Sequence, residues 1–299
     1  MPAPMTPIAR KTLAFAAFVL VCLAVAWPYV RALVQLALAE DSYSHILLIP
    51  LVSAALVWMQ PGWASKLSLR SSPRAAATVL ASSALLLALA PRLGRLLPGD
   101  SPLPFAILGL VGTIWAGFLF FFGAAAFRAL QFPLVFLVLA VPPPAFVIDG
   151  FVEFLRNGSA TVTHILFRLT GTPVFRTGYI FVVPGASIDI APECSGIRSA
   201  LAMLVTCLIA GHLFLRNWWA RITLLVLTVP MLVIKNGIRI VTLTLLATHV
   251  DPSFLTGKFH QRGGFVFFLI GLLILWPFLL WLQKVERRSG TPPISAASA

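Results

Sequence analysis

Apolar runs of about 20 residues recur almost from one end of this chain to the other, and no feature constrains its fold more. A helix needs about 20 apolar residues to cross a hydrocarbon layer of about 30 Å. Segments 12–30, 44–60, 75–91, 104–123, 129–147, 199–215, 220–248 and 264–282 meet that need, the Ala-rich third one least clearly. Each must be helical, because lipid offers a lone strand no hydrogen-bond partners. The expected fold class is therefore an all-α polytopic membrane protein of about eight transmembrane helices. Composition agrees: 59% of the residues are hydrophobic and only 10% are charged, against about 25% charged in soluble domains.

Charge then orients the spans. The net charge is +13, but the cations do not gather on one polar domain, which argues against nucleic acid as a partner. They stand in short groups between apolar runs: Arg10 and Lys11; Lys66, Arg70 and Arg74; Arg216 and Arg221; Lys284, Arg287 and Arg288. Connections 61–74, 124–128 and 216–219 and the tail after Gln283 are basic. Connections 31–43, 92–103, 148–198 and 249–263 hold most of the acids, among them Glu40, Asp100, Asp149, Glu153, Asp189, Glu193 and Asp251. Cytoplasmic loops retain Lys and Arg, so an even number of spans sets both termini in the cytoplasm. The first run follows Arg10 and Lys11 as in a secretory signal, and reads as a retained anchor. One membrane domain over 1–288 and a disordered tail over 289–299 are expected.

The long acidic-side segment 148–198 is different. Phe151, Phe154, Leu155, Val162, Ile165, Leu166 and Leu169 recur at helical spacing and describe an amphipathic helix that lies on the outer surface or tucks between spans. Gly171 and Pro173 end it. Val174 to Ile190, rich in β-branched and aromatic residues around Gly178, Pro184 and Gly185, reads as a short hairpin or extended loop.

Polar groups at membrane depth are costly, so each is a candidate for function. Of three cysteines, Cys22 and Cys207 lie inside apolar runs and read as small apolar filler, with no disulfide framework in the spacing. Cys194 instead lies in a polar segment just before the sixth span. Arg239 stands 19 residues past Ala220, about 28 Å along a helix, which returns it to the outer interface. His260 lies just before the last span. These three share a depth. A thiol at a helix N-terminus beside a cation is disposed to ionise. His260 could take the thiol proton and return it to a leaving amine, and Arg239 could hold an oxyanion. Ser195, Arg198, Lys235, Asn236 and His45 are candidate supporting residues, and Glu193 fits a helix cap or a group tuning Cys194. Plain structural readings stand beside these: an inert loop cysteine, an arginine that snorkels or pairs with Glu193 or Asp189, and an interfacial histidine. His164, His212 and His249 read as structural.

The blocks Pro-Glu-Cys194-Ser-Gly-Ile-Arg-Ser, Asn236-Gly-Ile-Arg239-Ile and Phe-His260-Gln-Arg-Gly-Gly, in that order among the spans, resemble the signature of the exosortase/archaeosortase family. Tyr43-Ser-His45 and the Pro-rich stretch 132–144 resemble family features too, so the likeness covers most of 40–270. It implies a membrane-embedded cysteine protease or transpeptidase with Cys194 as nucleophile, Arg239 as active-site arginine and His260 as catalytic histidine. Its partners would be secreted, membrane-anchored proteins carrying C-terminal Pro-Glu-Pro-type sorting tails, cut at the outer face of the bacterial inner membrane without a cofactor. Two rivals come from other classes. A transporter predicts mid-membrane polar residues and inverted repeats, whereas the polar residues here cluster at one face. A non-catalytic component of exopolysaccharide export would tolerate loss of Cys194.

Overall fold

Apolar character forces helix wherever the chain meets lipid, and the computed structural model shows where those helices hold and where proline and glycine break them. It describes residues 6–67, 70–96, 99, 101–256 and 264–288. The chain divides into two compact units, Met1–Val147 and Ile148–Ala299.

In the first unit α1 (Pro7–Val25) and α2 (Trp27–Ala39) are separate helices, with Pro28 at the start of the second. A 3₁₀ helix (Asp41–Leu48), α3 (Ile49–Trp58) and the single turn α4 (Trp63–Lys66) follow. Next come α5 (Pro73–Gly94) and α6 (Leu103–Ala129), an antiparallel pair joined at their far end by the Ser72 hydroxyl, which accepts from the Ala124 N–H at 2.9 Å. Small residues bring this pair close: a methyl group on Gly109 would stand 2.7 Å from Leu87 Cγ, the packing by which membrane helices associate. Phe15 of α1 meets Phe118 and Phe122 of α6 edge to face. The short α7 (Gln131–Phe136) passes into a 3₁₀ turn (Leu137–Ala140) and then the Pro142–Pro144 run.

The second unit takes up α8 (Ala145–Leu169), whose buried face carries Leu155, Ser159, Ala160, Thr163 and Phe167. Three short strands follow: β1 (Phe175–Thr177), β2 (Ile180–Val183) and β3 (Ala186–Asp189). They pair antiparallel in the order β1-β2-β3, with Phe175 opposite Val182 and Ile180 opposite Asp189. Gly178 and Gly185, at φ 62° and 85°, make the two turns. Alternate residues Phe181 and Val183 point inward and pack with Phe167, Ile190, Ile240 and Val241. Then come α9 (Ile197–Phe214), α10 (Trp218–His249), the single turn α11 (Ser253–Thr256) and α12 (Gly264–Arg288). Met203, Cys207, Leu224, Leu232, Leu275 and Leu279 bind α9, α10 and α12 around one core.

The all-α polytopic membrane class holds. Six described helices, α1, α5, α6, α9, α10 and α12, are long and apolar enough to cross; a seventh span would need the broken pair 131–140 and 145–169. The expected span 129–147 fails because the proline run interrupts it. The expected span 44–60 is half 3₁₀ helix, and only 17 residues, Ser42–Trp58, form its apolar helical stretch. The short hairpin or extended loop expected after α8 is a three-stranded meander.

Candidate active site

Glycines decide how the site is assembled. A methyl group on Gly237 of α10 would stand 2.6 Å from Val162 of α8, and one on Gly158 of α8 would stand 2.9 Å from Val233 of α10. The two helices therefore approach closely here. Ser159, beside Gly158, accepts a hydrogen bond from Asn236 Nδ2 at 3.0 Å. Both residues are buried, Ser159 to 0% and Asn236 to 1% exposure.

The same Asn236 amide reaches the expected nucleophile. Its Nδ2 donates to the main-chain carbonyl of Cys194 at 3.1 Å. Cys194 lies in a 3₁₀ turn, Pro192–Ser195, with its N–H donating to the Ala191 carbonyl at 2.9 Å. Gly196, at φ 77°, then turns the chain into α9. A left-handed residue there favours glycine, and space demands it too, since a methyl group would come within 2.7 Å of Asn236 Oδ1.

Two further contacts fix this turn. Lys235, adjacent to Asn236 and 1% exposed, donates to the Ser199 hydroxyl, which donates in turn to the Gly196 carbonyl at 3.0 Å. On the other flank Arg156 of α8 donates to the Ile190 carbonyl. Arg156 also pairs with Asp189 at 3.6 Å and Glu153 at 4.0 Å, and covers the Tyr179 ring at 3.9 Å. Tyr179 donates to Glu153. The turn bearing Cys194 is thus held through carbonyls at 190 and 194 by side chains far away in sequence, and through that at 196 by Ser199, which Lys235 holds in turn.

Cys194 and Arg239 line one cavity of about 220 Å³, with Ser187 to Ile190 of the β3 edge and Ile240, Leu243 and Thr244 of α10 completing its wall. Both are half-buried, and they lie near enough for the charge of one to act on the other. Such a cavity has a thiol, a guanidinium and an extended β-edge, the parts with which a peptide backbone is held and attacked.

The remaining expected residues fall in varied places. Ser195 is buried, and its hydroxyl has no hydrogen-bond partner among the described residues. Arg198 is exposed on the first turn of α9. Glu193 belongs to the 3₁₀ turn, but the N-cap of α9 is Gly196, so the cap expected of Glu193 belongs to another residue. His45 belongs to the first unit, half-buried in its 3₁₀ helix two residues after Tyr43, whose hydroxyl donates to the Pro143 carbonyl at 3.4 Å. His260 lies outside the described residues. Sequence reasoning missed Arg156, Ser159 and Ser199. The pattern of α8 left a surface helix and one tucked between spans both open, although a Gly-Ser pair within it signals close approach.

A family model described as transmembrane exosortase matches residues 37–277, most of the chain. No curated protein and no solved structure matches. With its apolar helices and with the segments bearing Cys194, Asn236, Arg239 and His260 all inside the matched region, this multi-pass membrane protein belongs to the exosortase family.

Proposed function

We propose that the chain is a thiol protease or transpeptidase that removes C-terminal sorting tails from secreted, membrane-anchored proteins. The observation carrying this reading is the cavity shared by Cys194 and Arg239, with the Cys194 carbonyl tied to Asn236. Cys194 attacks the carbonyl carbon of the scissile bond as a thiolate. Arg239 and the N-terminal end of α9 face the negative charge that develops. As the C–N bond breaks, His260 delivers the proton it took from the thiol to the departing amine, and an acyl-enzyme thioester remains. Water or an acceptor amine then releases it. Glu193, Ser195 and Arg198 complete the site as substrate-binding or supporting groups, without a cofactor.

The substrate tail has a Pro-Glu-Pro-type motif, a membrane helix and a basic end. It meets the enzyme at the outer face of the inner membrane, and both enzyme termini are cytoplasmic. The β3 edge beside Cys194 suits the extended segment ahead of such a helix.

The test is C-terminal processing of a tagged secreted protein carrying this tail, in cells with the wild-type enzyme or Cys194→Ala. Processing is expected with the wild type and absent with the variant, at equal enzyme level in the membrane. Equal processing in both overturns the nucleophile, and an unchanged export phenotype with Cys194→Ala favours a non-catalytic role.

A further inference from the structure

The first unit holds a half-open apolar cavity of about 640 Å³, nearly three times the volume of the cavity at Cys194. It follows α1 from Thr12 past Phe15 and Val19 to Leu23, a run of about 16 Å at the rise of a helix. Its opposite wall comes from α3, α6 and α7. The shape is long and narrow, and almost every lining group is hydrocarbon. A membrane-spanning helix, about 10 Å across and about 30 Å long, is several times too large for it. A single hydrocarbon chain is not, and the volume lies in the range of small-ligand sites, about 300–1,000 Å³.

One end of this cavity differs in chemistry. Trp58, Trp63 and Leu67 line it there, and tryptophan prefers the boundary between hydrocarbon and head groups. Lys66 closes the α4 turn that Trp63 opens, with its ammonium 2.8 Å from Gln60 Oε1. Ile8 of α1 joins Trp63 and Phe122 in one cluster, and Lys11, one turn on, donates to the Phe121 carbonyl at 3.0 Å. The Arg70 carbonyl lies against Gly123 of α6. Lys11, Lys66 and Arg70 therefore gather where the tryptophans do. No Asp or Glu occurs in 1–39, 42–99 or 101–148, so the sequence around these cations is strongly basic.

We infer that this cavity is a binding site for one acyl chain of an anionic phospholipid, with the phosphate at Lys11, Lys66 and Arg70. The cavity selects a chain over a helix by size, and three cations at one end favour an anionic head group over a zwitterionic one.

The test uses the full chain in detergent, stripped of lipid and titrated with phosphatidylglycerol or with phosphatidylcholine of the same acyl chains, read by native mass spectrometry. One phosphatidylglycerol is expected to bind in preference to phosphatidylcholine. Lys66→Gln, a change outside the apolar packing, is expected to lower that preference about fivefold. Ala54→Phe and Val57→Trp, which fill the cavity from α3, are expected to abolish the bound lipid while circular dichroism and melting stay as in the wild type. Should either folded filling variant keep the same lipid, or should the two head groups bind equally, the inference is overturned. Loss of tail processing with unchanged lipid binding in those variants would assign the cavity to substrate and overturn it as well.

Discussion

The thiol at 194 owes its placement to neighbours that act on main chain. Asn236 spends one amide on two acceptors, the Cys194 carbonyl and the Ser159 hydroxyl. Removing that amide leaves both acceptors buried and unmatched, which costs about 1–3 kcal/mol locally, and lets the turn drift. Small displacements of reacting groups cost large factors in rate. Asn236→Ala is thus expected to slow tail processing at least about tenfold at unchanged membrane level, measured by the tag-cleavage assay. Unaltered processing would remove Asn236 from the positioning of Cys194. Cys194, Arg239 and Asn236 were legible in the sequence because polar residues stand out against apolar spans. Ser159, Ser199 and Arg156 were not. Their roles arise from contacts spanning 77, 36 and 34 residues, and a serine or arginine on an amphipathic helix looks like any other polar residue.

Among the elements, the β-meander depends on its link to α8. Arg156 lies between Asp189, Glu153 and Tyr179, and the Tyr179 hydroxyl donates to Glu153. Ionising the phenol would remove the proton of this hydrogen bond and then set its charge against the carboxylate, so its pKa is raised above the ordinary value, which is about 10. This bond is fully present below that ordinary value and is lost only as pH climbs through the raised one, hence in a window above about pH 10. Phenolate absorbance, with Tyr179→Phe subtracted, is expected to show this late titration, and Glu153→Gln to bring it back toward the ordinary value. Coincident titrations in wild type and Glu153→Gln would contradict the link. The long helices were legible at this scale, since 20 apolar residues in lipid leave no alternative. Their breaks were not: a run of apolar residues averages over Trp27-Pro28 and Pro142–Pro144, where missing N–H donors end the helix. The strands were half visible, through Gly178 and Gly185.

Across the molecule, the second unit is tied together far from its cavity by one buried carboxylate. Glu286 of α12, 4% exposed, accepts from the N–H groups of Arg216 and Asn217, at distances from 2.7 to 3.2 Å, in the turn between α9 and α10. Glu286→Ala strands those donors at a cost of about 1–3 kcal/mol, and is expected to lower the melting temperature by several degrees in a detergent thermal-shift assay. An unshifted melting curve would show that water replaces the carboxylate fully. The hold on Cys194 is likewise distributed over the unit, through carbonyls at 190, 194 and 196. A serine hydroxyl, close in size to the thiol, leaves those main-chain contacts in place. Under the proposed chemistry, Cys194→Ser becomes a snare: an unreactive replica that still admits its natural clients but leaves them uncut, and so identifies them as the full-length proteins that co-purify with it.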